Sequence, residues 1–322
     1  MKPIELTRQA RPVTTTVDAI NERGEIVPTP IAGEHALTLY LDKRELVTLM
    51  TLGDAPEHLA LGWLRNQRIL RSIDAIAAVQ VDWETDSVAI TSRSLRERGV
   101  SLWDLDGETP LSQGLDERLR HRTVTTGCGQ GTVFGDLMDD IDALRLPAGP
   151  ILTDTTLMAV MDQVRKMESI YKVAGAVHGC ALLANVSAKV PTKVPTKVPT
   201  KVSTKAPPDP GTDPCLEPGP TMLRFVEDVG RHNAVDAIAG WMWLEGVDGA
   251  DKIFYTTGRL TSEMVIKCAQ MGIAVLLSRS GLTGMGHAIA QKTGITLIGR
   301  CQGRHYLLFT GAQRLVRDGH ER

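Results

Sequence analysis

The chain has 322 residues, 42% of them apolar, and a formal charge of −2. That length accommodates two domains or one large one, and so even a charge balance offers no general attraction for nucleic acid or an anionic membrane. No apolar run approaches the ~20 residues of a membrane helix. The opening MKPIELTRQARPVTTTVDAI lacks the apolar segment of a secretory signal, and the cysteines at 128, 180, 215, 268 and 301 form no C-x-x-C pair. The composition therefore points to the cytoplasm and to free thiols rather than a disulfide framework.

Residues 36–52 predict two short strands about Asp42-Lys43-Arg44. GDAPEHLALGWLRNQRIL predicts a helix, with Leu59, Gly62, Trp63 and Leu70 near helical spacing. AIAAVQVDWETDSVAITS predicts two more strands around Glu84-Thr85-Asp86, and residues 93–122 are mixed and charged. Residues 1–122 thus read as a small α+β domain, and residues 123–322 as a second domain of layered α/β type. In that second part, residues 154–174 predict one long helix with Leu157, Val160, Met161, Val164 and Met167 on one face. GAVHGCALLANVS predicts a turn and a buried strand. TMLRFVEDVGRHNAVDAIAGWMWLEG, DKIFYTTGRLTSEMVIKCAQMG and IAVLLSRSGLTGMGHAIAQKTG each predict strand, turn and helix, and ITLIGRCQGRHYLLFTG closes with strands. Strands alternating with helices at this spacing argue for a layered sheet. The stretch at about 188–220, built on a repeat of lysine, valine, proline and threonine, cannot form a core, since proline blocks both ladder and helix. It reads as a solvated loop inserted between two strands or, through Lys189, Lys193, Lys197, Lys201 and Lys205, as a basic docking arm.

Within TTGCGQG, residues 125–131, Cys128 has glycine on both sides and another at Gly131. A structural cysteine sits among bulky neighbours; a glycine-flanked one suits a thiol that large partners approach from different sides. Cys180 and Cys268 lie in apolar surroundings that suit simple packing. The turn EDVGRHNAVD gathers Glu227, Asp228, Arg231, His232, Asn233 and Asp236 where open α/β sheets place ligands, although a mutually satisfied internal network would use the same residues. TTGRLTSEMV joins Gly258, Arg259 and a cap at Thr261 or Ser262 to a helix start, which suits phosphate. SRSGLTGMG adds Arg279, and RCQGRHY adds Arg300, Arg304 and His305 around Gly303. Three arginine-bearing turns point to an anionic, phosphorylated ligand, with scattered surface arginines as the alternative. No metal site emerges: His178 and Cys180 share a strand face, but nothing nearby completes a tetrahedral set.

TTGCG, AVHGCALL, EDVGRHNAVDAIAGW, TGRLTSEMVIKCAQMGIAVLLSRS, GITLIGRCQGRHYLLFTG and, in the first third, LGDAPEHLALGWL together resemble the FdhD family, sulfur carriers that mature formate dehydrogenase. The resemblance covers nearly the whole chain apart from the repeat insertion. It implies a cytidine-deaminase-like second domain without the deaminase zinc. It also implies a persulfide on Cys128, sulfur taken from a cysteine desulfurase, and delivery to a molybdenum cofactor carrying two pterin guanine dinucleotides. The family's cofactor-binding stretch falls on Arg300, Cys301, Gln302, Gly303, Arg304 and His305, and a guanine nucleotide such as GDP is the expected partial ligand, met also by Gly258, Arg259, Ser262 and Arg279. Many members carry a second cysteine three residues after the first; here that position is Gly131, which leaves a single-cysteine persulfide. The resemblance favours a homodimer. The competing readings are a cysteine hydrolase with Cys128 as nucleophile and His232 or His178 as base, and a non-catalytic chaperone for the cofactor.

Overall fold

The computed structural model describes residues 3–104, 123, 124, 131, 132, 141, 144, 146–185 and 219–318. The first part holds β1 (Glu5–Leu6), β2 (Thr14–Ile20), β3 (Ile26–Ala32), β4 (His35–Leu41), β5 (Arg44–Thr51), α1 (Pro56–Asn66), β6 (Ile76–Asp82), β7 (Ser87–Ser92) and α2 (Arg93–Arg98). Five of its strands form one sheet in the order β1-β6-β7-β4-β5, while β2 and β3 pair only with each other. The β4–β5 hairpin turns on Asp42 and Lys43, whose φ of 46° and 70° match a two-residue turn of right-handed strand twist. The Asp42 carboxylate then accepts the amides of Ser92 (2.8 Å) and Leu102 (2.9 Å), tying the end of β7 to the hairpin.

After the short ladder of β8 (Thr123–Val124) and β9 (Gly131–Thr132) come β10 (Leu152–Thr153), α3 (Asp154–Lys166), α4 (Ile170–Ala174), β11 (His178–Ala184), β12 (Thr221–Asp228) and α5 (Arg231–Glu245). The chain continues through β13 (Lys252–Thr256), α6 (Ser262–Gln270), β14 (Val275–Ser278), α7 (Gly284–Thr293), β15 (Thr296–Gln302), β16 (His305–Leu308) and β17 (Leu315–Val316). The larger sheet has the order β12-β11-β13-β14-β15-β16, with β13, β14 and β15 parallel and the outer pairings antiparallel. Its parallel strands read as unbroken apolar runs because both faces are covered. On one face Leu157, Val160 and Met161 of α3 meet Leu183, Ile253, Val275 and Ile298. On the other, α5 and α6 join a core that runs on through α1 into the first sheet.

The two sheets are joined through α1 and α5, which touch backbone to backbone. A Cβ on Gly62 would fall 1.7 Å from the Asp236 carbonyl, and one on Gly240 would fall 1.9 Å from that of His58, so only glycine permits this approach. The fold is mixed α/β. The predicted order of strands and helices holds for β4 to β7 and for α3 to β16, while β1, the β2–β3 hairpin and α2 lie in stretches for which the sequence predicts no element. One predicted element differs. The single helix predicted over residues 154–174 breaks at Met167 (ψ 133°) and restarts at Ile170. Ser169 caps the new start, and Glu227 of β12 accepts the amides of Ile170 (2.6 Å) and Tyr171 (3.3 Å), so a tertiary acceptor replaces the intrahelical ones.

Candidate functional site

The register places the carboxyl ends of β12, β13, β14 and β15 and the start of β11 along one sheet edge. There the segments are sewn together locally. Thr257 donates its amide to Gly179 (2.9 Å), Gly179 donates back to the Thr257 hydroxyl (3.0 Å), and the Ser278 hydroxyl donates to the Gly258 carbonyl (2.6 Å). A Cβ on Gly258 would come 3.1 Å from the Arg231 Cδ, so the missing side chain leaves room for that arginine.

His178 opens β11 at this edge. Burial, followed by the charges of Arg231, Arg259, His232 and Arg279, holds its ring below the ordinary histidine pKa. Two of the three arginine-bearing turns predicted from sequence, those of Arg259 and Arg279, are thus brought around one imidazole. The neighbouring helix start adds to the field. Thr261 is the N-cap of α6 but makes no side-chain capping bond, and its buried Oγ1 has no hydrogen-bond partner among the described residues. The first-turn amides beside Ser262 therefore keep their donors and the positive end of the helix dipole.

Beside this edge lies a cavity of about 310 Å³ whose lining includes Tyr171, Phe225, Tyr255, Arg279, Cys301 and Gly303. The Arg279 guanidinium stands 5.2 Å from the Tyr171 ring centroid, which makes a flat cationic and aromatic wall. Cys301, Gln302 and Gly303 line the cavity, whereas Arg300, Arg304 and His305 are exposed and are not among its lining residues. The β15–β16 ladder is irregular here: its register shifts between Gly299 and Gln302, and Arg300 stands at φ 55°, so regular alternation does not hold across these residues.

The polar turn after β12 is mostly an internal network. Asp228 accepts the Leu52 amide (3.1 Å), the Gly230 amide (2.9 Å) and Asn233 Nδ2 (2.8 Å), and the Thr51 hydroxyl also donates to it. Asp236 accepts Asn66 Nδ2 (2.7 Å) and Lys267 Nζ (2.8 Å). Burial works against the Lys267 charge, but Asp236 and Glu263 outweigh it and hold the lysine above its ordinary pKa. His232 Nδ1 lies 3.0 Å from Glu263 Oε1, and His232 Nε2 is buried with no hydrogen-bond partner among the described residues. Asp228, Asn233 and Asp236 therefore join the two sheets, while Arg231 is the member whose charge reaches the edge; burial holds the His232 ring below its ordinary pKa despite Glu263.

Cys180, Cys268 and Cys301 are free and buried. Burial pushes Cys180 and Cys301 up to about 12 and Cys268 well above the ordinary thiol range, so all three stay protonated at neutral pH. Cys128 and Cys215 lie outside the described residues. The ladder pairs Thr123 with Thr132 and Val124 with Gly131, so the backbone is joined on either side of the segment that contains Cys128. Among the described residues no cluster of three metal-binding side chains occurs, and no helix is long and apolar enough to cross a membrane.

The model of the FdhD/NarQ family matches residues 32–190 and 215–316. The chain belongs to the FdhD/NarQ family. The match is interrupted at the KVPT repeat and resumes before β12, which places the repeat outside what the family shares. Relatives named sulfur carrier protein FdhD include one from Wolinella succinogenes, 23% identical over 88% of this chain and 81% of its own length. Another, from Bacillus subtilis, is 23% identical over 91% of this chain and 94% of its own. A crystal structure from Desulfotalea psychrophila, of a candidate formate dehydrogenase accessory protein, superposes with a TM-score of 0.62 at 19% identity over 94% of this chain and 99% of its own. That likeness is one of fold.

Proposed function

We propose that this protein is a sulfur carrier for formate dehydrogenase, with Cys128 as the carrier thiol. The observation that carries the reading is membership of the FdhD/NarQ family across both parts of the chain, among relatives named as sulfur carriers. Two physical features support it. The described cysteines are buried and held protonated, which leaves the glycine-flanked Cys128 as the thiol whose sequence suits exchange. The sheet edge concentrates positive charge beside an aromatic cavity, chemistry that suits a phosphorylated, ring-bearing cargo.

In this reading the Cys128 thiolate attacks the outer sulfur of a persulfide on a cysteine desulfurase. The donor's S–S bond breaks, its cysteine leaves as thiolate, and Cys128 holds the sulfur as a persulfide. The cargo that receives it is the molybdenum bis(molybdopterin guanine dinucleotide) cofactor, before its insertion into formate dehydrogenase. Arg259, Arg279 and the first turn of α6 at Ser262 would meet its phosphates, and Tyr171 and the Cys301–Gly303 strand end would meet a guanine nucleotide, GDP serving as the partial ligand. Gly258 shapes this edge by admitting Arg231. The second part of the chain would be a cytidine-deaminase-like domain, residues 123–322, set against a first domain of residues 1–122, in a cytoplasmic homodimer.

The test is mass analysis after incubation with a cysteine desulfurase and cysteine. We expect one added sulfur on Cys128, and a Cys128→Ser protein that folds but cannot restore formate dehydrogenase activity to a strain lacking this gene. Full restoration by Cys128→Ser would overturn the carrier role.

A further inference from the structure

The hairpin of β2 and β3 pairs with no other strand among the described residues, and its ladder can be read bond by bond. Gly33 donates its amide to the Val13 carbonyl (2.8 Å) at one end, and Asn21 donates to that of Glu25 (3.1 Å) at the other. In an antiparallel pair the backbone groups that face the partner recur at every second residue. Those of Thr15, Val17 and Ala19 therefore point to β3, and those of Thr14, Thr16, Asp18 and Ile20 point away from it. On β3 the outward positions are the partners of these four, Ala32, Pro30, Pro28 and Ile26.

The two edges of the hairpin differ in what they can bind. Proline has no N–H, so Pro28 and Pro30 strip the two central donors from the outer edge of β3, which keeps a further strand from adding there. β3 is also the strand that meets the body of the protein, where it packs on α4. The outer edge of β2 holds no proline, and its four outward residues have no backbone partner among the described residues. Apolar side chains of the hairpin stand in water: Ile20 is 75% and Ile26 70% exposed, and Val17, Val27 and Ile31 are exposed as well. A lone two-stranded hairpin is marginally stable in water, whereas three or more strands make a stable sheet.

The side-chain pattern of β2 fits its own copy. With two copies antiparallel and overlapped over all of Thr14–Ile20, Thr16 of each copy stands opposite Asp18 of the other, a hydroxyl donor facing a carboxylate. Val17 then stands opposite Val17 of the second copy. The outward groups of Thr14, Thr16, Asp18 and Ile20 meet their equivalents and close about eight hydrogen bonds. A slipped register centred on Asp18 would instead oppose two carboxylates, which disfavours it.

We propose that the outer edge of β2 is a dimerisation edge, pairing antiparallel with β2 of a second copy of this chain across a two-fold axis. The result is a four-stranded sheet in the order β3-β2-β2-β3, and the prolines of β3 close it at both ends, so assembly stops at two copies. The FdhD/NarQ match begins at residue 32, beyond β2, so the family match does not imply this pairing. The interface is independent of the sulfur-carrier reading.

Sedimentation velocity of the full-length protein over a concentration series reads the assembly, and the wild type should dimerise. Thr16→Pro preserves the β2–β3 ladder, because the Thr16 amide points outward, but removes one donor from each copy. The dimer dissociation constant should rise about tenfold or more. Val17→Lys, at an exposed position, keeps the fold and sets two ammonium groups opposite each other, so it should yield monomer. Val17→Cys reads the contact directly, since Cα atoms of a non-hydrogen-bonded pair lie about 4.5 Å apart, within disulfide range. Oxidised glutathione should join two copies through position 17, identified by mass analysis of the linked peptide, while Arg23→Cys in the exposed turn should not link. A protein monomeric at every concentration would overturn the proposal, as would a dimer indifferent to both Thr16→Pro and Val17→Lys. So would a Val17→Cys protein that links no faster than Arg23→Cys.

Discussion

Helix α5 begins at the sheet edge and runs along the joint with α1, and its two surroundings treat charge in opposite ways. Along the joint, Asp228 and Asp236 are enclosed by donors, and Lys267 lies between Asp236 and Glu263 at 2.8 and 3.4 Å. At the edge, charges of one sign gather around His178. Opposite charges desolvated as a set lock two elements in one arrangement, whereas like charges held together raise the free energy of the empty protein. The difference separates polar residues whose charges the fold balances from those whose charges it leaves reinforcing one another, a distinction that residue type alone does not make.

The contrast breaks first, and most heavily, at Lys267. Lys267→Met would leave Asp236 and Glu263 buried without their cation, at a cost of about 3–5 kcal/mol in urea unfolding. Arg279→Ala, at the exposed edge, should stay within about 0.5 kcal/mol of the parent protein. Equal losses in both variants would erase the distinction between joint and edge.

His58 sharpens the comparison, because it lies at the joint yet faces like charges. Its folded pKa of about 4 is below the free value of 6.5, so the folded state disfavours its protonation. The associated stability is present above pH 6.5 and is lost as the pH falls towards 4. The loss amounts to about 3 kcal/mol at most. Unfolding free energies of the wild type and His58→Gln, measured across that window, should diverge, with the wild type falling more steeply. Parallel curves would place His58 in water.

The smallest effect concerns ligand affinity. Arg279→Ala and Arg259→Ala should each weaken GDP by about tenfold in titration calorimetry, the loss of one charge-assisted contact, while stability stays level. Arg304→Ala, on the exposed hairpin, should change little. GDP binding unaffected by the first two substitutions would move the nucleotide elsewhere.

Much was legible along the chain because it is periodic. The alternation of β4 to β7, the unbroken runs of β13 and β14, and the helices that follow them are set by which positions must be apolar. Cys128 between glycines and the proline-rich repeat were equally local signals. Pattern could not show that Asp228, Asn233 and Asp236 reach residues more than a hundred positions away, at Met50, Thr51, Leu52 and Asn66. Nor could it show that Glu227 would split the helix predicted over residues 154–174 by capping its second half. Gly62 and Gly240 carry no side chain to betray a partner, yet their missing Cβ atoms set the distance between α1 and α5. The arginine turns named a ligand class, but only the strand order brought Arg259 and Arg279 to His178 and left Arg300, Arg304 and His305 outside the cavity. Sequence determines local conformation and burial preference through short-range sterics and hydrophobicity. Which distant charges meet, and whether they cancel or reinforce, is decided only when the sheets close on their shared helices.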